Sequence, residues 1–235
     1  MKIYLASGNA HKAREFQELA DGSPAPRPTR GPEPACGELV ESVEWELVEA
    51  VERARALLHV EIISAAAVGG MPPVVEDTGL FVGNARKKAR ALQARLPAGA
   101  WALADDSGLC VDALGGAPGV ESAYYAGPRG SGAENLAKLV TVLRDVPDGR
   151  RAAHFTCVLV LIGPDREEHV FEGRCDGRLG REPAGGGGFG YDPLFVPVGY
   201  ERTFAELDPA IKNKLSHRGR AWAALISWLN ENVRT

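Results

Sequence analysis

Short apolar runs closed by turn residues recur along this chain, separated by stretches in which apolar positions return every three or four residues. Lys2 to Ala6 is the first such run. Ser7-Gly8-Asn9 and a helical spacing through Phe16 and Leu19 follow it, so the chain opens strand, turn, helix. Asp21 to Gly37 is rich in Pro and Gly and reads as a loop or extended excursion. Leu39, Val43, Leu47, Val51, Ala54 and Leu58 then keep helical period, with Glu38 and Glu41 early and Arg53, Arg55 and His59 late. That charge order suits a helix dipole and predicts an amphipathic helix over Glu38 to Leu58.

Val60 to Ser64 predicts a strand, Gly69 to Pro73 a turn, and Asn84 to Leu96 a helix rich in Ala, Arg and Lys. Trp101 to Ala104 and Leu109 to Val111 read as two short strands flanking Asp105-Asp106-Ser107-Gly108. Asn135 to Leu143 is helical in period. Ala152 to Ile162 and Glu168 to Cys175 predict an antiparallel hairpin around Gly163-Pro164-Asp165. A last helix buries Trp222, Leu225, Ile226 and Leu229. The alternation predicts an α/β protein with a mixed sheet, in one domain.

Composition narrows the class. The 235 residues are 45% hydrophobic and 25% charged, ordinary for a globular protein with a sizeable core. A formal net charge of −4 provides no field for gripping a nucleic-acid backbone, so no nucleic-acid partner is expected. Polar residues from Asn9 interrupt any signal-peptide core, and Phe155 to Ile162, the longest clean apolar run, is too short to span a bilayer. The expectation is a cytoplasmic protein with no membrane partner. Cys36, Cys110, Cys157 and Cys175 lack zinc-ligand spacing and read as reduced thiols; the five histidines form no metal motif.

Four segments carry candidate chemistry. Ser7-Gly8-Asn9-Ala10-His11-Lys12 lies at a strand-to-helix junction, where free amides and the positive helix end favour a phosphate; a plain capped helix start is the alternative, and the Gly-Lys-Ser/Thr ending of a P-loop is absent. Asp105-Asp106-Ser107-Gly108 either presents carboxylates to a hard cation or forms a polar β-turn. Gly185 to Gly190 satisfies G-x-G-x-x-G but follows no strand, which rejects a dinucleotide fingerprint and an NAD-dependent oxidoreductase. Its glycines instead let backbone approach a flat ligand, with Phe189 or Tyr191 placed to stack on a base. Lys212, Lys214, His217 and Arg218 precede the last helix, where they either meet phosphates and a carbonyl-bearing base or form a solvated basic turn.

Taken in order, SGNAHK, ADDSGLCVDALGGAPGVESAYYAG, REPAGGGGFGYDPLFVP and LSHRGRA resemble the inosine triphosphate pyrophosphatase family, the house-cleaning purine nucleoside-triphosphate pyrophosphatases. The resemblance implies an elongated mixed sheet with flanking helices forming two lobes around a central cleft, a homodimer, and Mg2+-dependent hydrolysis of deaminated purine nucleoside triphosphates to monophosphate and pyrophosphate. It assigns Ser7, Gly8, Asn9, Ala10, His11 and Lys12 to the triphosphate, and Asp106 to the metal and to proton acceptance from water, with Asp105 a further metal candidate. Ser107 contacts substrate, Phe189, Gly190, Tyr191 and Asp192 frame the base, and Lys212, His217 and Arg218 complete the pocket, the last two reading the six-position oxygen.

Two departures stand out. The family commonly carries a metal-assisting Glu just before the Asn-Ala of its second motif, where this chain has Gly83, and the stretch between Lys12 and that motif is unusually long, which makes 21–58 an inserted segment relative to the family. Gly83 leaves open a nucleotide-binding protein with weak catalysis; in the enzyme, the cation leans on substrate phosphates, water or a neighbouring acid such as Asp105, Glu76 or Asp77. A related enzyme acting on modified pyrimidines accounts less well for GFGYDP and SHRG.

Overall fold

A computed structural model describes residues 1–22 and 60–233. The helix read over Glu38 to Leu58 and nearly all of the segment 21–58 lie outside the described residues, as does Cys36. One mixed six-stranded open sheet organises the rest, in the order β2-β1-β3-β4-β5-β6. Its strands are β1 (Lys2–Leu5), β2 (Glu61–Ser64), β3 (Trp101–Val111), β4 (Ala152–Ile162), β5 (Glu168–Leu179) and β6 (Phe195–Pro197). β1 pairs in parallel with β2 and β3, and the remaining pairs are antiparallel. The helices are α1 (Ala10–Asp21), α2 (Phe81–Gln93), α3 (Gly132–Val142), α4 (Pro209–Leu215) and α5 (His217–Asn232). Among the described residues no helix is long and apolar enough to cross a membrane.

The main correction to the sequence reading concerns β3. Asp105 to Gly108 form no turn between two short strands; they continue one strand of 11 residues, in register with β4 from Ala102↔Ile162 to Val111↔Ala153. Turn-forming residues are held extended here because both faces of the strand are covered, which overrides local preference. Gly108 serves packing: a Cβ there would lie 2.5 Å from Ser122 Oγ, in the 3-10 turn Gly119–Tyr124 that seats against the strand.

Strand parity then sorts the side chains. Ala102 and Ala104 face α2, packing with Ala85, Ala89 and Leu92, while Leu103 faces a second cluster built from Phe16, Trp222, Leu225, Ile226 and Leu229. A third cluster gathers Leu109, Val111, Phe155, Phe195 and Phe204. The final helix buries the four residues its period indicated. It also begins earlier than the sequence indicated, so His217 and Arg218 form its first turn, and Lys212 and Lys214 sit on the separate α4. The hairpin β4–β5 has its expected turn, and β5 runs on to Leu179.

Candidate active site

The end of β1, the middle of β3, α2, the turn 189–192 and the α4–α5 junction surround a cleft of about 560 Å3, a size suited to a small-molecule ligand. Ser7, Gly8, Asn9, His11 and Lys12 line it; Ala10 opens α1 without lining it. Asn9 caps α1, its side-chain oxygen accepting from the amides of His11 at 2.9 Å and Lys12 at 3.3 Å. The positive end of α1 therefore faces the cleft with its first turn ordered.

Parity along β3 sends the paired acids to opposite faces. Asp105 and Ser107 point with Leu103 toward α1 and α5. Asp105 is 1% exposed, Lys12 Nζ lies 2.8 Å from its Oδ2, Arg218 Nη2 lies 3.9 Å away, and Ser107 Oγ donates to it at 3.2 Å. Burial works to raise its carboxyl, but Lys12, Arg218 and Lys88 hold it well below the usual carboxylate range. Asp105 is thus a buried anchor for cations of the cleft, on the face of β3 opposite Asp106.

Asp106 points with Ala102 and Ala104 toward α2. Its Oδ2 accepts from Asn84 Nδ2 at 3.3 Å and its Oδ1 from Lys88 Nζ at 2.9 Å. Asn84 and Lys88 stand four apart on one face of α2, so one helix supplies both partners. Burial pushes the Asp106 carboxyl up to about 6 against the pull of Lys88 and Lys12. Among the described residues no three His, Cys, Asp or Glu side chains converge as a ready metal cage. The donor chemistry nevertheless fits a hard divalent cation: Asp106 is a buried carboxylate, oriented by an amide, that already draws a cationic nitrogen to itself.

On the far wall, Glu15 of α1 collects two cations. Lys212 Nζ donates to Glu15 Oε1 and to Asp192 Oδ2, each at 2.8 Å; Arg218 Nη1 donates to Glu15 Oε2 and Arg218 Nη2 to Ser107 Oγ at 3.0 Å. Asp192 also accepts from the Phe189 amide at 2.7 Å, closing the 189–192 turn. Gly188 belongs there twice over, with φ +68 and a would-be Cβ only 2.9 Å from Asp192 Cγ.

Of the two aromatic candidates, Phe189 faces the cleft. Its ring stacks on His11 with centroids 5.4 Å apart, and Lys212 Nζ and Arg218 Cζ lie 5.2 and 5.8 Å from its centroid. The Tyr191 hydroxyl is committed to Ser122 O at 2.9 Å, which makes it a buried brace instead of a stacking face. Gly190, with φ +62, also lines the cleft.

His217 stacks on Phe155 with centroids 4.7 Å apart. Burial, then Arg218 and Lys212, push its pKa well below the ordinary imidazole value, so the ring is neutral. His217 Nδ1 and Arg218 Nε are buried without a hydrogen-bond partner among the described residues, and both residues line the cleft. Buried polar atoms are rarely left so unless water or a ligand meets them.

Sequence reasoning had missed Glu15, Asn84 and Lys88. The only local sign of the latter two was their i, i+4 spacing in a helix whose other cations, Arg86, Lys87 and Arg90, pair with Glu168 and Asp77 instead.

The sequence matches the Ham1 family over residues 3–228. A dITP/XTP pyrophosphatase of Opitutus terrae is 57% identical over 228 residues, covering 97% of this chain and 98% of that protein. A solved HAM1 protein from Coxiella burnetii superposes with a TM-score of 0.72 at 35% identity, covering 98% of this chain and 99% of the other. A nucleoside-triphosphatase / dITP/XTP pyrophosphatase from Mycobacterium abscessus gives 0.64 at 40% identity, covering 96% and 98%. With its motifs gathered around one cleft and matches of this extent, the chain belongs to the Ham1 family.

Proposed function

We propose that this chain hydrolyses deaminated purine nucleoside triphosphates, dITP, ITP and XTP, to monophosphate and pyrophosphate with a divalent cation, Mg2+ by its hard-oxygen chemistry. The observation that carries the reading is the pair of buried atoms without a partner among the described residues, His217 Nδ1 and Arg218 Nε, in the cleft that Phe189 also lines. Arg218 is a donor at every nitrogen and suits an oxygen at the six position of a base stacked on Phe189. An adenine amino group in that place would set donor against donor. The names of the relatives support the same substrate class.

The triphosphate extends from the base toward Ser7, Asn9 and Lys12 at the positive end of α1. Asp106 is the residue that would hold the cation, which would supply positive charge against the phosphates. Asp106, oriented by Asn84, is placed to accept a proton from the water that attacks the α-phosphorus. The bond from the α-phosphorus to the bridging oxygen breaks, and pyrophosphate leaves as one unit. Lys12 and Lys88 provide positive charge where negative charge gathers. The homodimer and the cytoplasmic setting that the resemblance implies are part of this reading.

A panel of ITP, dITP, XTP, GTP and ATP, with pyrophosphate and monophosphate both measured, tests it. The deaminated substrates should exceed ATP in kcat/KM by about 100-fold or more, the range reached when a polar pocket leaves groups unpaired on the wrong substrate. GTP keeps the six-position oxygen and so reports only on position 2. Comparable values for ITP and ATP would remove the assignment, and binding without pyrophosphate release would favour the weakly catalytic alternative.

A further inference from the structure

On the face of β3 that carries Asp106, α2 packs on Ala104 to one side and the 3-10 turn Gly119–Tyr124 seats on Gly108 to the other. Two adjacent tyrosines at the end of that turn diverge. Tyr125 packs in the third apolar cluster, where Lys138 Nζ lies 4.1 Å from its ring centroid and donates to its carbonyl at 2.6 Å. Tyr124 lines the cleft and is 39% exposed. Its backbone is held from both sides. Asn135 Nδ2 donates to Ser122 O at 3.3 Å and Ala123 O at 3.0 Å, Asn135 Oδ1 accepts from the Ala126 amide at 2.6 Å, and Tyr191 donates to Ser122 O. The position of the Tyr124 ring is thus fixed by its neighbours, whereas its hydroxyl has no hydrogen-bond partner among the described residues.

The face Tyr124 occupies decides what it meets. Arg218 and Lys212, on the base side, are tied to Ser107 and Glu15 across β3. Tyr124 instead lies within electrostatic reach of Asp106 and of Glu76, which pairs with Lys88, and so stands on the phosphate side. Asp106 is buried and addresses the α-phosphorus; Tyr124, half-exposed at the rim, is placed for the phosphates farther out. Burial, then Glu121, Glu76 and Asp106, raise its phenol above the ordinary value of 10, which keeps the group a donor at neutral pH. The rest of the turn offers no donor to the cleft: Ser122 Oγ is engaged by the Leu109 amide and Gly119 O, and Val120 and Ala123 are apolar. We propose that Tyr124 contacts the substrate, its phenol donating to a non-bridging oxygen of the departing pyrophosphate from the flank of Asp106 opposite Lys88. The inference rests on the triphosphate reading of the function and adds a neutral donor for the leaving group.

Tyr124→Phe removes the hydroxyl alone. Titration calorimetry with Mg2+ and two probes, IMP and the non-hydrolysable α,β-methylene analogue of ITP, separates base and ribose from the outer phosphates. The variant should bind the analogue about tenfold or more weakly than wild type, the scale of one hydrogen bond to a charged group, and IMP equally well. Tyr125→Phe should leave both affinities unchanged, and unaltered circular dichroism in each variant keeps the comparison about the contact. Full affinity of Tyr124→Phe for the analogue would overturn the proposal. Equal weakening of IMP and analogue would overturn it by moving the phenol to the base or ribose. A loss in Tyr125→Phe equal to that in Tyr124→Phe would do so by reducing the effect to packing of the turn. None of these readouts needs turnover: if wild type binds the analogue but releases no pyrophosphate from ITP, the proposed reaction fails and the same binding ratio still decides Tyr124. Wild type that binds neither probe removes both.

Discussion

Glu15→Gln isolates what holds the base-reading wall together. The substitution keeps shape but removes the charge that accepts from both Lys212 and Arg218. Breaking a buried ion pair costs about 3–5 kcal/mol. Here Lys212 retains Asp192 and Arg218 retains Ser107, so neither cation is stranded, and the lower end of about 3 kcal/mol applies. At about 2–4 °C per kcal/mol for a chain of this size, Tm should fall by about 6–12 °C. Thermal denaturation followed by circular dichroism at neutral pH measures it, and added salt should change the difference little because the pair is buried. The pH dependence has a definite sign. Burial works to raise the Glu15 carboxyl, but Arg218 and Lys212 outweigh it and the folded pKa lies below the ordinary 4.5. Its stabilisation is therefore full above about pH 4.5 and lost as pH falls through the folded value. The gap in Tm between wild type and Glu15→Gln should narrow in acid, and kcat/KM for ITP over ATP should narrow by about tenfold as Arg218 loses its anchor. A Tm within about 1 °C of wild type, with substrate preference intact, would refute the anchoring argument.

Asp106→Asn should keep the fold and lower kcat by about 100-fold or more, checked by steady-state pyrophosphate release. In metal-free protein, the Asp106 carboxyl, raised from 3.8 to about 6, adds stability below pH 3.8 that is lost as pH rises through about 6; Asp106→Asn should remove that component from a plot of Tm against pH. Gly83→Glu should destabilise by about 1–3 kcal/mol by forcing Thr78 off Asn84, and should not strengthen metal binding; a lower Mg2+ requirement at unchanged Tm would contradict the packing seen there.

Much of this protein is written locally. The strand, turn and capped helix of residues 2–21 follow from Asn9 before a helical period, and the β4–β5 hairpin from two apolar runs around Gly163-Pro164-Asp165. The glycines ahead of Phe189 read as room for a flat ligand; the close contacts at Gly185, Gly187 and Gly188 are with the protein's own Ala205 and Asp192. Local composition misled at Asp105 to Gly108, because turn preference is weak beside burial on both faces of a central strand.

Other features are tertiary by nature. Only the parity of β3 between two helical layers separates Asp105, bound to Lys12 and Arg218, from Asp106, held by Asn84 and Lys88. Nothing in the pair Glu76-Asp77 distinguishes the acid beside Asp106 from the one turned to Lys87. Lys88 and Lys87 are likewise adjacent on the same helix, yet the helix rotates one into the cleft and leaves the other exposed. Short-range pattern determines which backbone forms and which side chains share a face. The field a carboxylate feels depends on groups tens to hundreds of residues away, as Glu15 meeting Arg218 illustrates, and only the packed fold brings those charges together.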